Sequence, residues 1–306
     1  MSNDGLLIIG EALIDVVHRL DGSVDEVPGG SPANVAITLG RLGRTPHLLT
    51  WVGDDAAGQR IAQWLRASGV VVEPSSFGSD HTSTATAVLG EDGGARYIFD
   101  IDWNIPADVD LSGIGHVHVG SIGAVLEPAA GPLYDLLSAL KVAGATISYD
   151  PNARPAIMEA PEITARKFAR LVAISDVVKV SDEDLEWVAP GESYEDVARR
   201  WAASGPGLVI VTRGGSGALA FTEEANFEVD GVSVEVVDTV GAGDTFMGAL
   251  IDGLLSAGAL GYGHQGAVKT IDHEALVAVL NRCARAAAVT VSRPGADPPT
   301  LAELDG

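Results

Sequence analysis

Short, mostly apolar runs recur along the chain, and stretches with helical spacing lie between them. LLIIG (6–10), HLLTWVG (47–53), HVHVG (116–120), ATISYD (145–150), DVVKV (176–180) and GLVIVT (207–212) are runs of this kind. That is the pattern of strands buried on both faces. SPANVAITLGRLG (31–43), AGQRIAQWLRASG (57–69) and PLYDLLSALKVAG (132–144) are apolar at helical spacing and end at glycine, a common helix stop. Strands alternating with helices predict an α/β fold with a mostly parallel central sheet flanked by helices. Two stretches break the rhythm. LIDVVHRLDGSVDEV (13–27) contains a DG turn signal, and in 82–102 two β-rich runs flank GEDGG. Both read as hairpins. They predict a small separate sheet covering the carboxyl ends of the core strands, where open α/β sheets bind ligands.

A further helix is predicted from FMGALIDGLLSAG (246–258), and DTVGAGD (238–244) stands before it. The small residues Gly241, Ala242 and Gly243 leave backbone amides exposed at a helix start, which suits phosphate or another anion. Asp244 shares that place, and a carboxylate would normally repel a bound phosphate. Two readings fit. Asp244 is a helix N-terminal acid, stabilising by ~0.3–1 kcal/mol through the dipole, or it faces a hydroxyl that attacks the phosphate and takes its proton.

Four other stretches hold candidate chemistry, each with an ordinary alternative. In PGGSPANVAITLGRLG (28–43), Gly29 and Gly30 allow a backbone to approach a ligand and Asn34 can bond hydroxyls; Ser-Pro is also a common helix start. Asp15 follows the first strand in GEALID, where a lone acid is usually solvated. DPNAR (150–154) brings Asp150, Asn152 and Arg154 to a strand end, although Asp-Pro-Asn is also turn chemistry. VTRGGSGA (211–218) is a strand followed by a glycine-rich turn suited to a nucleotide.

Other phosphate and hydrolytic motifs are excluded. No lysine follows a glycine, so no Walker A loop is present; the first strand carries no GxGxxG, and no serine sits in GxSxG. His116 and His118 share one face of a strand without further ligands at metal spacing, which favours packing. The 306 residues are 46% hydrophobic, enough for a sizeable core. The net charge of −23 makes nucleic acid and anionic membrane poor partners. The lone cysteine, Cys283, cannot form an intrachain disulfide and sits in a helical run as a packing residue. The N-terminal apolar run is too short for a signal peptide or membrane span, so a cytoplasmic protein is expected.

Together these stretches resemble the ribokinase-like carbohydrate kinases, also called the PfkB family. DTVGAGD matches the family's C-terminal signature and GGSPANVAITLGRLG (29–43) resembles its N-terminal one, with the likeness running from about Leu6 to Pro299. The resemblance implies a single kinase domain over 1–306, with lid hairpins from about 12–27 and 82–103. It implies ATP, Mg2+ and a K+ site. Asp244 then corresponds to the catalytic base, and Gly241, Ala242 and Gly243 to the anion hole. Asp15, Gly29, Gly30 and Asn34 match sugar-contacting positions. Thr212, Gly214 and Gly217 fall in the nucleotide loop, and Lys179 matches a lysine near the phosphates. Asp238 and the carbonyl of Val240 match a monovalent-cation site, to which backbone at Arg293 and Gly295 adds. One departure stands out: where the family often has Asn-x-x-Glu supporting Mg2+ through water, this chain has Ser181-Asp182-Glu183-Asp184.

GEALID, DPNAR and the ending SRPGADPP resemble the fructokinase branch, which implies phosphorylation of D-fructose on its 6-hydroxyl. Arg96 and Trp103 are assigned by position to close over the sugar from the lid, with Asn152 and Arg154 completing the site. The runner-up is 2-keto-3-deoxygluconate kinase, which shares the Asp-x-Asn-x-Arg pattern and whose acid substrate needs cations such as Arg96 and Arg154. Ribokinase and nucleoside kinase follow. From other classes come a non-catalytic sugar or nucleotide-binding regulator and a nicotinamide oxidoreductase, the latter disfavoured by the missing fingerprint. A homodimer through the lid is expected, because exposed hairpins can pair between chains.

Overall fold

The computed structural model describes residues 5–89, 95–106 and 109–306, apart from the side chains of residues 89, 95 and 96. In chain order the strands are Gly5–Ile9 (β1), Leu13–His18 (β2), Val24–Gly29 (β3), His47–Leu49 (β4), Val71–Val72 (β5), Thr84–Leu89 (β6), Ala95–Asp100 (β7), Ile114–Gly120 (β8), Thr146–Asp150 (β9), Val177–Ser181 (β10), Leu208–Thr212 (β11), Ala218–Phe221 (β12) and Asn226–Val229 (β13). The α-helices are Ser31–Arg41 (α1), Ala56–Ala67 (α2), Ala130–Ala143 (α3), Pro161–Ile174 (α4), Asp182–Val188 (α5), Tyr194–Ala202 (α6), Ala242–Ser256 (α7), His273–Val291 (α8) and Leu301–Asp305 (α9).

The apolar runs pair into one nine-stranded sheet, ordered β13-β12-β11-β10-β9-β8-β1-β4-β5. From β5 to β11 every neighbouring pair is parallel, while β12 and β13 join antiparallel at one edge. Parallel strands need covered faces, and two apolar layers supply the cover. Leu39, Leu250 and Leu280, from α1, α7 and α8, lie in one layer. Leu133, Leu137, Phe168 and Trp201, from α3, α4 and α6, lie in the other. Cys283 is fully buried in α8, where burial pushes its thiol far above the usual range. It packs and does not react.

The expected strand at 47–53 forms a continuous strand only over His47–Leu49, with an isolated parallel bridge from Gly53 to Ser79. Beyond it the backbone turns to a loop, with Thr50 N–H on Ser76 Oγ and Val52 N–H on Ser76 O. The sequence reading also missed β5, β12, β13 and the helices α4 to α6.

Strand order reverses around β1, which lies between β8 and β4. The chain segments leaving β1, β8, β9 and β10 therefore gather at one end of the sheet, the topological switch point where such folds bind ligands. Over this end stands a second sheet, ordered β3-β2-β6-β7. Both expected hairpins are antiparallel pairs within it, and a parallel β2–β6 pair fuses them. Residues 90–94, which hold the GEDGG turn, lie outside the described residues. Among the described residues no helix is long and apolar enough to cross a membrane.

Candidate active site

Helix α7 begins in the middle of DTVGAGD. Gly241 precedes it with φ of 77°, a left-handed backbone that suits glycine. A Cβ there would also lie 2.5 Å from the Ala296 Cβ. First-turn amides of a helix lack intrahelical acceptors, and among the described residues those of Gly243 and Asp244 have no carbonyl partner. The Lys179 ammonium stands beside them: a Cβ on Gly243 would be 3.2 Å from Lys179 Nζ. Open amides, a helix N-terminus and a cation thus converge on one spot, the chemistry of an anion site.

Asp244 points into this spot and is 8% exposed. Ser31 Oγ donates to its Oδ1 at 2.7 Å, and Asn34 Nδ2 donates to its Oδ2 at 2.8 Å. Asn152 Nδ2 lies 3.5 Å from Oδ1. Ser31 and Asn34 are three apart on α1, hence on one helix face, and Pro32 starts that helix at its first turn. Asn34 was expected from the sequence and Ser31 was not. Asn34 Oδ1 is buried without a hydrogen-bond partner among the described residues.

Lys179, at 5% side-chain exposure, pairs with Asp150 Oδ2 at 2.7 Å. Among the described residues Asp150 Oδ1 has no hydrogen-bond partner. Burial pushes the Asp150 carboxyl up to about 6, against the pull of Lys179 and helped by the nearby charges of Asp184 and Asp244. Asp184 Oδ1 accepts the Ala153 N–H at 3.0 Å and so holds the turn carrying Asn152. Ser181 caps α5 by accepting the Asp184 N–H at 3.0 Å. In register, Ser181 pairs with Thr212. The glycine-rich turn after Thr212 therefore starts next to this group. Gly214 and Gly217 have φ of 52° and 85°, and a Cβ on Gly217 would lie 2.0 Å from Val229 O.

On the lid side, Gly29 makes room for Asp15: a Cβ there would lie 2.1 Å from Asp15 Oδ2. Asp15 is exposed; desolvation by the surrounding protein raises its carboxyl against the pull of Arg154. Gly30 has φ of 113°, and a Cβ there would lie 2.5 Å from Glu11 O. Arg154 spends Nη1 on Asn152 Oδ1 at 2.8 Å and on the carbonyls of Asn152 and Ala153, and Asn152 itself takes a left-handed φ of 38°. Trp103 is 3% exposed in the apolar layer below, with its indole N–H on Gly123 O at 2.9 Å. Arg96 belongs to β7, but its side chain lies outside the described residues.

Behind the loop, Asp238 Oδ1 accepts the Val240 N–H at 3.0 Å and Oδ2 accepts the Gly295 N–H at 2.9 Å. These backbone hydrogen bonds hold its carboxyl below the usual range. They bring the backbone at 238–240 against that at 293–295. The sequence reading also passed over Glu11, which is 5% exposed and accepts the Gly123 N–H at 2.9 Å; burial pushes its carboxyl up to about 7.

Comparison with known proteins gives the family. The model of the pfkB family carbohydrate kinases matches residues 3–303. A fructokinase of Rhizobium leguminosarum bv. trifolii is 34% identical over 81% of this chain and 79% of its own. Fructokinase-2 of Solanum lycopersicum is 33% identical over 99% of this chain and 95% of its own. Among solved structures, a fructokinase double mutant from Vibrio cholerae O395, bound to fructose, ADP and potassium ion, is 26% identical. It superimposes with a TM-score of 0.80, covering 99% of this chain and 98% of that one. From near its first residue to near its last, the chain belongs to the pfkB family of carbohydrate kinases.

Proposed function

We propose that the protein is an ATP-dependent fructokinase that moves the γ-phosphoryl group of ATP to the 6-hydroxyl of D-fructose. One observation carries the reading: the Asp244 carboxylate, held by Ser31 and Asn34, lies beside the open amides of Gly243 and Asp244 and the Lys179 ammonium. A simple anion site has no use for a carboxylate there, whereas phosphoryl transfer needs both. The Asp244 carboxylate takes the proton of the attacking hydroxyl. The new bond joins O6 to the γ-phosphorus as the bond from that phosphorus to the β–γ bridging oxygen breaks, and ADP leaves. The open amides of Gly243 and Asp244 and the Lys179 ammonium stabilise charge on the transferring group.

Asp15, Gly29, Gly30, Asn34 and Asn152 form the sugar half of the site, with the unpartnered Asn34 Oδ1 as acceptor for a sugar hydroxyl. Trp103 acts as a wall beneath it, its polar atom already spent. Arg154 already spends Nη1 on Asn152 Oδ1 and on the carbonyls of Asn152 and Ala153. That favours a neutral ketose over an acid such as 2-keto-3-deoxygluconate, and the fructokinase names of the relatives point the same way. Ser181, Asp184, Thr212, Gly214 and Gly217 form the nucleotide half.

The donors fit the metals expected with this chemistry. Mg2+ takes oxygen ligands and keeps water; Asp150, with its unpartnered Oδ1, and Asp184 would hold it on the nucleotide. When bound, it neutralises phosphate charge. The Asp238 carboxylate with the carbonyls of Val240, Arg293 and Gly295 suits K+. The enzyme is cytoplasmic, and a homodimer forms through the exposed lid strands.

The test mixes protein, ATP, Mg2+ and K+ and follows ADP release with fructose, 2-keto-3-deoxygluconate, ribose, glucose and adenosine. Turnover on fructose above the others, lost in Asp244→Asn, is expected. Preference for another acceptor would overturn the substrate. Sugar binding by calorimetry with no turnover on any would favour a non-catalytic regulator.

A further inference from the structure

Four chain segments meet under the sugar half of the site, and one buried side chain has no part in the transfer just described. Glu11 follows β1. Its Oε2 accepts the Gly123 N–H at 2.9 Å, in the turn after β8, and the Ser121 hydroxyl lies beside the same carboxyl. Gly123 passes the connection on, because its carbonyl accepts the Trp103 indole N–H at 2.9 Å. Trp103 stands just beyond β7, where the chain returns from the lid. The fourth segment is the start of α1: a Cβ on Gly10 would lie 2.3 Å from Pro32 Cγ, and a Cβ on Gly30 would lie 2.5 Å from Glu11 O.

The packing leaves no slack. A Cβ on Gly123 would lie 3.0 Å from both Glu11 Oε2 and Gly10 Cα. Ser121, at the start of the same turn, takes a φ of 57°, an unfavourable backbone for a residue with a side chain. Such a conformation persists only where surrounding contacts determine it. A polar side chain at 5% exposure is costly unless it is bonded. Glu11 meets that cost through the backbone amide of Gly123, in a turn whose residues are buried.

We propose that Glu11 is a positioning residue of the sugar half-site, fixing the 121–124 turn and, through Gly123, the lid's return strand at Trp103, against the α1 start that carries Ser31 and Asn34. Glu11 acts as a hydrogen-bond acceptor and does not touch the reacting atoms. It sets where the lid comes down relative to Asp244, so its loss falls on sugar binding and spares the nucleotide half. This inference rests on the fructokinase reading.

The experiment compares Glu11→Ala, Glu11→Gln and Trp103→Phe with the wild type. Gln keeps an acceptor oxygen of the same reach, and Phe removes only the indole N–H and part of the ring. Glu11→Ala is expected to raise the fructose KM at least tenfold with the ATP KM within twofold, and Glu11→Gln to stay within threefold of wild type on both. Trp103→Phe should raise the fructose KM in the same direction, and it carries the test if Glu11→Ala does not fold. Amide exchange needs no turnover: in Glu11→Ala, or in Trp103→Phe if that variant alone folds, the 121–124 amides should exchange at least tenfold faster while β9 keeps its protection. An unchanged fructose KM, equal rises in both KM values, Gln as damaging as Ala, or unchanged exchange would each overturn the proposal. Failure of the wild type to use fructose would instead sink the fructokinase reading, and the exchange result would still decide the role of Glu11.

Discussion

The two sheets of this molecule are made to opposite specifications. In the large sheet, β9 is buried at every residue and β10 at all but its last. In the small one, β3 is exposed at its first four residues, and Val27, Tyr97 and Ile98 stand 55%, 59% and 46% open. The groups assigned to the transfer step sit on or against the first sheet: Lys179 in the middle of β10, Asp150 at the end of β9, and Asp244 locked by donors from α1. On the proposed reading the second sheet contributes Asp15 and Gly29 and otherwise acts as cover. Burial fixes directions and lowers the local dielectric, which phosphoryl transfer uses. A cover has to move, and a movable part cannot carry a deep core of its own. Variants of the large sheet should therefore be severe and variants of the small one mild.

The largest effect is expected at Asp244. Asp244→Asn keeps the shape, and the site can re-pair: Asn34 can still donate to the amide oxygen, and the Ser31 hydroxyl can turn from donor to acceptor. The fold should survive and kcat should fall by roughly 10²–10⁴. Steady-state ADP release with unfolding as a control checks it, and near-normal turnover would remove Asp244 as base.

Next comes Lys179→Met, which strands Asp150 in the interior. Removing one partner of a buried ion pair costs about 3–5 kcal/mol, because the other charge is left uncompensated. Urea unfolding should register that loss along with reduced kcat. Adding Asp150→Asn should recover part of the stability, since the two positions interact directly. A stability loss below about 1 kcal/mol in the single variant would mean that water, and not Lys179, compensates Asp150.

A subtler effect separates the sheets by pH. His116 and His118 are each 1% exposed on β8 and share the Ser148 hydroxyl at 2.9 and 3.0 Å, with Thr146 Oγ1 at 2.8 Å from His116. Desolvation pushes both imidazoles from 6.5 down to about 3, and for His118 the charges of His116 and Lys179 add to it. Each is neutral when folded and protonates more readily when unfolded. Their contribution is therefore complete above about 6.5 and is lost as pH falls toward 3. Glu11 and Asp150 act in the opposite sense: their folded pKa values are raised, so their contribution is present at low pH and lost as pH rises through about 7 and about 6. The wild-type curve mixes these, and a difference isolates the histidine part. Relative to wild type, His118→Gln should lose about 2 kcal/mol less between pH 7 and pH 5. Parallel curves would exclude a protonation-linked role.

What could be read beforehand follows the same division. Strands buried on both faces announce themselves as short runs rich in apolar residues, so β1, β8, β9, β10 and β11 were found within a residue or two. β5 is two residues long, and β12 and β13 are four each, too short to show a period. The DTVGAGD turn was legible because glycine and an acid at a helix start carry local chemistry. Ser31 was not, because serine before proline is ordinary helix-start chemistry and its partner, Asp244, lies 213 residues away. Glu11 was hidden for a related reason: an acid after a strand looks solvated until the turn from Ser121 to Ala124 folds over it. Trp103 was assigned to the sugar from its place in the chain, yet a tryptophan's value depends on where its N–H ends up, which only the fold decides.

The smallest effect concerns the cover itself. In the lid register Asp15 lies opposite Ala85, and Ala85 opposite Phe99, so these share one face; Ile98, opposite Thr86, lies on the other. Ile98→Lys therefore changes the face away from Asp15. The residue is 46% exposed, so folding stability should move by less than about 0.5 kcal/mol and the fructose KM should hold within threefold. β7 is an edge strand of its sheet, and a lysine on an edge discourages pairing with another chain. If two copies meet through their lids, light scattering should find a dimer for the wild type and a monomer for Ile98→Lys at the same concentration. A dimer that survives the lysine would move the interface off this face of the lid. A monomeric wild type would leave Val27 and Tyr97, which share the Asp15 face, as surface for lid closure to cover, and Ile98 open on the other face.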